Sequence, residues 1–459
     1  MNNVNIFVVI TIIVSVIMCS MCHDPTYATM TLLPLSFLIV YALLKNAFNS
    51  GYKVSIYIIG GLLWFRMVAL PLMGVTDISY QLNCVQNTNL FYKAIFLCIY
   101  EGLLLSFVVN IMAKHVLSNN LKAKYVLELH GNKNLYLLYI LFAALVFFTM
   151  GRHMHLFEFA IKSIGGGERT EEELDANALL IRQIVSTGLV VLFCYIVDRL
   201  RQKYNYTWNY KYVRIAIACA VLMVCIIVGE RRTSQIYVAF ASCWLLCHVF
   251  PSAQKRINRA IIGAAVFVLI MMTVYKHFNA FLYDSYSEAI ENASFNEVFS
   301  PGMFDAYFYG INTIVKNINF GEISQLGIFH SLYDLARCTF GLNFCVPRNI
   351  GLTSELYNLY LYGGEQSHGY LLSSIGYGYI YLGIVLAPLF SCINIICLMF
   401  FERKMKTATS VEMTYIWAFV FMRFGFGVLG SLPPLVSLIT RYLFFSGSIY
   451  LLAKKINNR

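Results

Sequence analysis

Runs of about 20 consecutive apolar residues recur along this chain, each close to the length a helix needs to cross ~30 Å of hydrocarbon at ~1.5 Å per residue. A chain that repeats such runs cannot hide them all in a water-soluble core. It folds in a bilayer, where helices and closed barrels are the forms that pair every backbone N–H and C=O. The composition agrees: 59% of the 459 residues are hydrophobic and only 12% are charged, about half of the ~25% charged residues found in soluble domains. Mean hydropathy is +0.66. The sequence therefore predicts an all-α integral membrane protein and excludes a soluble globular one.

Bounding the apolar runs by charged and turn residues predicts twelve spans, near 4–22, 27–44, 54–73, 93–113, 135–150, 178–197, 212–229, 234–250, 260–276, 373–400, 413–429 and 436–453. The first run lacks a basic leader and a small-residue cleavage pattern, so it reads as a retained helix. With the N-terminus inside, the inner loops and tail collect nineteen Lys and Arg residues and the outer loops eight, which orients both termini to the cytoplasm. The net charge of +11 is mostly this topological asymmetry, so it does not indicate nucleic-acid binding. Three regions follow. Residues 1–276 hold nine spans with short loops, 277–372 form one long outer loop, and 373–459 hold the last three spans and a basic tail. A loop of that length is expected to carry short helices of its own, as in the segment Met303 to Lys316.

Arginine position is the most informative local feature. Arg66, Arg182, Arg423 and Arg441 lie inside predicted spans, where each costs roughly 2.5 to 3.5 kcal/mol on insertion scales unless partnered. Counted at ~1.5 Å per residue, all four sit about 6 to 10 Å below the outer helix ends. Arg231 and Arg232 in the turn Gly229-Glu230-Arg231-Arg232, and Arg337 and Arg348 in the long loop, add cations just above them. Guanidinium groups gathered near the outer leaflet suit a polyanion with a lipid tail, because the planar fork pairs bidentately with phosphate oxygens. The structural alternative is pairing with Glu101, Glu230 or backbone carbonyls. Glu101, the lone carboxylate deep in a span, is either a general base or the counter-ion of a neighbouring arginine.

Other motifs are weaker. Gly165-Gly166-Gly167 lacks the lysine and Ser/Thr of a phosphate loop, and Glu171, Glu172 and Glu173 behind it suit the positive end of the sixth helix. No histidine or cysteine spacing makes a metal site, and most of the 13 cysteines fall in apolar runs as packing residues, so no metal and no cofactor is expected. Cys338 and Cys345 could form a disulfide in an oxidising compartment. His368, in Gly363-Gly364-Glu365-Gln366-Ser367-His368-Gly369, either polarises an acceptor hydroxyl, binds a sugar, or is an interfacial histidine.

Taken in order, Val228-Gly229-Glu230-Arg231-Arg232-Thr233-Ser234-Gln235, Phe299-Ser300-Pro301, Pro347-Arg348, Ser367-His368-Gly369, Met422-Arg423 and Thr440-Arg441 resemble the motif series of Wzy-type oligosaccharide repeat-unit polymerases, especially the enterobacterial common antigen type. Arg182 resembles an arginine early in that family's sixth span. The likeness covers roughly 178–450; the first turn is Glu-Arg-Arg where Gly-Thr-Arg is commoner, and the spacing around His368 differs by about one residue.

The resemblance implies a GT-C-like, metal-independent glycosyltransferase of the bacterial inner membrane. It would move a glycan from undecaprenyl pyrophosphate to a newly flipped lipid-linked unit at the periplasmic face, building a surface polysaccharide such as O-antigen, common antigen or capsule. The implied pyrophosphate ligands are Arg182, Arg231, Arg232, Arg348, Arg423 and Arg441, with His368, Glu355 or Glu365 near the acceptor. The expected partners are the undecaprenyl-pyrophosphate-linked donor and acceptor, the lipid bilayer and a chain-length-regulating co-polymerase, and no nucleic acid. An O-antigen ligase and a lipid-linked oligosaccharide flippase are the competing expectations. A flippase fits less well, because transporters show paired halves with short loops.

Overall fold

Hydrocarbon drives each apolar run into a helix, the conformation that pairs its backbone within the segment. The computed structural model describes residues 2–22, 24–48, 50–116, 127–151, 157–159, 176–228, 233–278, 283–293, 299–363 and 372–457. In chain order the helices are α1 (Asn2–Ser20), α2 (Leu32–Ala47), α3 (Lys53–Trp64), α4 (Leu70–Gly74), α5 (Ile78–Val85), α6 (Thr88–Ile111), α7 (Lys133–Val146), α8 (Ala176–Thr207), α9 (Lys211–Cys225), α10 (Thr233–Val249) and α11 (Gln254–His277). They continue as α12 (Tyr286–Glu291), α13 (Pro301–Phe308), α14 (Ile311–Ser324), α15 (Ile328–Cys338), α16 (Thr353–Tyr362), α17 (Ser374–Leu386), α18 (Leu389–Thr407), α19 (Val411–Phe426) and α20 (Leu432–Asn457). A short antiparallel ribbon pairs β1 (Phe157–Phe159) with β2 (Ile226–Val228), Phe157 opposite Val228 and Phe159 opposite Ile226.

Among the described residues the apolar runs marked in the sequence are occupied largely by helix, and the run over 212–229 passes into β2. Among the described residues seven helices are long and apolar enough to cross a membrane, from Tyr27–Ala47 to Leu432–Asn457, and the chain is an all-α membrane protein. The run predicted as one span over 373–400 is different. It is a broken pair, α17 and α18, bent by 113°. Two residues mark the break: Gly383 adopts φ +69°, ψ −174°, open to glycine but strained for an L side chain, and Pro388 has no N–H to donate into the helix.

The chain divides into two units. The first comprises residues 1–121, 296–402 and 424–438, the second 122–295, 403–423 and 439–459.

In the first unit, much of the predicted outer loop is packed helix. α14 lies against α6 and α17, burying Ile311, Ile314 and Ile318. Its start is fixed by Asp305 of α13, whose carboxylate accepts from Asn312 N (3.1 Å), Thr313 N (2.8 Å), Thr313 Oγ1 (2.6 Å) and Tyr80 Oη (2.7 Å). Burial pushes this carboxyl above its ordinary value, and the donors around it oppose that shift. Further along, Asn317 Oδ1 accepts from Ser373 N at 3.1 Å, tying α14 to the start of α17. A Cβ at Gly376 would run into the Asn317 side chain, so glycine is needed for this approach.

A buried ion pair lies deeper in the same unit. Arg66, in a π-helical turn over Phe65–Ala69, donates from Nη1 to Glu101 Oε2 of α6 at 2.5 Å, and both side chains are fully buried. The other carboxylate oxygen accepts from Ser391 of α18. Removing one partner of such a pair leaves an uncompensated buried charge, which typically costs about 3 to 5 kcal/mol, whereas replacing both by apolar residues is often neutral. Thermal unfolding in detergent should therefore show Glu101→Ala strongly destabilised and Arg66→Met/Glu101→Leu much closer to wild type; equal losses in both variants would mean the pair is not what holds these helices.

Candidate functional site

The sequence placed Arg66 with Arg182, Arg423 and Arg441. The structure separates it: Arg66 belongs to the first unit and its charge is consumed by Glu101, which is therefore its counter-ion and has no oxygen to spare for base catalysis. Arg182, Arg423 and Arg441 all belong to the second unit.

α8 and the parts of α19 and α20 that fall in that unit, 411–423 and 439–457, carry them toward one end. α8 and α19 run antiparallel. Phe193 meets Tyr415 with ring centroids 5.7 Å apart, and toward the opposite end Arg201 of α8 lies 4.0 Å from Glu128, which is bridged to Ser410 beside α19. α20 is antiparallel to α19 as well, because Tyr442 stacks on Phe419 at 4.3 Å while Ala453 O accepts from Asn132 N, close to the His130 and Gly131 amides that bond Glu412. Counting from the Phe193 and Tyr415 level at ~1.5 Å per residue, Arg182 lies about 16 Å up α8, Arg423 about 12 Å up α19, and Arg441 about 7 Å up by way of the Phe419 and Tyr442 stack. All three point the same way along the unit, and all are half-buried.

Arg423 is the best defined of the three. Nη1 donates to Tyr237 Oη of α10 at 2.7 Å, and the guanidinium lies 4.9 Å from the centre of the same ring. Nε is buried without a hydrogen-bond partner. A phenol fixes a guanidinium by one hydrogen bond and a cation–π contact without supplying a counter-charge, whereas the charge of Arg66 is matched by Glu101. Tyr237 was not singled out in the sequence. It lies one helical turn inside α10, soon after the sequence Gly229 to Arg232, and that spacing is the signal that could have found it.

Arg231, Arg232, Glu365 and His368 lie outside the described residues, as do His153, His155 and the Gly165 to Glu173 tract. β2 ends at Val228 and α10 begins at Thr233, on either side of the two arginines. Arg348 and Glu355 fall in the first unit. Arg348 is exposed. Glu355 Oε2 accepts from Leu352 N at 2.6 Å to cap α16 and sits 3.5 Å from Arg337 Nη1. Cys338 and Cys345 are not joined by a disulfide. No group of three potential metal ligands occurs among the described residues.

The first unit also holds a small cavity lined by Asp334, Cys338, Ser354, Tyr377 and Ser431 among others. Asp334 is committed there: it accepts from Thr353 N (3.1 Å), Thr353 Oγ1 (2.5 Å) and Tyr377 Oη (3.0 Å), holding the start of α16 against α17. In the second unit a cavity is lined by Tyr136, Cys194, Glu412 and Ser446, toward the end opposite the arginines.

Compared with protein-family models, with curated proteins and with solved structures, the chain matches none.

Chemically, guanidinium groups directed toward one end of a unit are the kind of group that pairs with phosphate oxygens. Pyrophosphate should raise the melting temperature of the purified protein, with saturation at a hundred times the Kd corresponding to about 2.7 kcal/mol. Arg423→Ala should abolish most of that shift. Tyr237→Phe, which keeps the ring and loses the hydrogen bond, should weaken binding about five- to tenfold. A shift unchanged in both variants would place the anion elsewhere.

Proposed function

We propose that this chain is a membrane-embedded glycosyltransferase that polymerises undecaprenyl-pyrophosphate-linked oligosaccharide repeat units, of the Wzy type its motif series resembles. The observation that carries the reading is the convergence of Arg182, Arg423 and Arg441 toward one end of one unit, with Arg423 held by a phenol and left charged. In this reading all twelve apolar segments cross the bacterial inner membrane, both termini are cytoplasmic, and the arginine end faces the periplasm.

The chemistry needs little more than these groups. When a glycan leaves undecaprenyl pyrophosphate, negative charge grows on the departing phosphate oxygens. Guanidinium groups fixed in advance stabilise that charge without reorganising, and the low-dielectric surroundings strengthen the effect. Arg182, Arg423 and Arg441 supply this, with Arg231 and Arg232 ahead of α10 as further ligands and Arg348 as a lesser one. The acceptor hydroxyl requires a base, for which His368, Glu365 and Glu355 are the candidates. Donor and acceptor keep their polyprenyl tails in lipid, and a co-polymerase would set chain length.

The decisive test is a gel of the products formed when purified protein meets extracted lipid-linked repeat units, without nucleotide or added metal. Wild type should give a ladder of chain lengths. Arg423→Ala and Arg441→Ala should each lose at least ~100-fold in rate, the scale of a lost transition-state donor, while membrane abundance stays near wild type. Unconsumed units would turn the reading toward lipid-linked oligosaccharide transport. Transfer of a single unit to a lipid core sugar would indicate a ligase.

A further inference from the structure

α15 is amphipathic the wrong way round for a helix bathed in water. Its polar residues face inward, with Ser331 at 2% and Asp334 at 1% exposure, and Asp334 bonded to Thr353 of α16 and Tyr377 of α17. Its large apolar residues face outward: Ile328 is 42% exposed, Phe329 80% and Leu332 57%. The segment after it repeats the pattern with Leu342 and Phe344, the latter 72% exposed. Fully burying one such side chain is worth roughly 1.5 to 3 kcal/mol, so a helix free to rotate in water would turn the other way. The hydrogen bonds of Asp334 forbid that rotation.

α15 packs on the start of α17, where Tyr377 Oη donates to Asp334 Oδ2 at 3.0 Å, and the residues that follow run beside α6: Tyr379 and Lys93 both reach Glu322 Oε1, and Tyr100 Oη donates to Val385 O at 3.0 Å. α17 belongs to the broken pair whose combined length and hydropathy suit a membrane. α15 is thus packed level with the first turns of α6, a helix long and apolar enough to cross a membrane. Exposed Arg348 follows α15, a cation of the kind that anchors a helix at the headgroups.

We propose that α15, in what the sequence reads as an extramembrane loop, is an interfacial helix whose Ile328, Phe329 and Leu332 face lies among the acyl chains of the bilayer. The lipid surface satisfies the outward residues, and Asp334 locks the helix in the orientation that presents them.

The test replaces Phe329 by p-benzoylphenylalanine, a close match in shape at an exposed site, in the full-length protein reconstituted into phosphatidylethanolamine and phosphatidylglycerol vesicles. Irradiation should give lipid adducts, detected by mass spectrometry, about tenfold more abundant than with the same residue in place of exposed Asn349. Adducts to a second copy of the chain, or yields no higher than at Asn349, would overturn the proposal. Phe329→Trp provides an independent reading. Its added fluorescence relative to wild type should be quenched by lipids brominated in the acyl chain and not by aqueous iodide; the reverse pattern would also overturn it.

Discussion

A charge taken out of water must be paired or hydrogen-bonded, and most of this structure follows from how that requirement is met. The buried carboxylates are spent largely on helix starts. Asp305 accepts the first amides of α14 and Asp334 that of α16, Glu402 accepts from Val54 and Ser55 at the start of α3, and Glu412 accepts from the His130 and Gly131 amides ahead of α7. Each acid meets donors that have no partner within their own helix, and where the helix start is the target it also meets the positive end of the helix dipole. Because Glu402 and Ser55 are 347 residues apart, the same bond that discharges a carboxylate also fixes distant helices to one another.

With these acids committed, the arginines divide into two kinds. Arg66 is inaccessible and matched by Glu101, so its function is to hold α6 against the turn that carries it. Arg423 is half-buried and held by Tyr237, and the difference between a carboxylate and a phenol as partner decides whether positive charge remains for a ligand. An anion site within a membrane protein needs guanidinium groups that are oriented without being neutralised, and tyrosine provides orientation at little electrostatic cost.

The sequence disclosed the helices well and their partners poorly. Apolar runs were legible because length and hydropathy alone decide whether a segment can cross hydrocarbon. The break between α17 and α18 was not, since averaging over 373–400 hides the two residues, Gly383 and Pro388, that mark it. Separating Arg66 from the other arginines required knowing that Glu101, 35 positions away, faces it. Counting residues gives position along one helix and not which helices are neighbours. For the same reason the sequence grouped Arg182, Arg423 and Arg441 with Arg66 and did not assign them to one unit apart from Arg348 and Glu355. The predicted outer loop was legible as helical but not as packed, because its anchors, Asp305 and Asn317, are polar residues that resemble solvent-exposed ones until their partners are seen.

α15 shows what such a pattern leaves open. A 3.6-residue alternation establishes that a helix has two unlike faces, and the surrounding solvent decides which face turns inward. In water the apolar face is buried; beside a bilayer the preference reverses wherever lipid is the nearer neighbour. The deciding residue in this chain is Asp334, because a carboxylate that accepts an amide, a hydroxyl and a phenol can be satisfied only on the inside. Hydropathy therefore sets the two-faced character of the helix, and one acid's hydrogen-bonding demand sets its rotation.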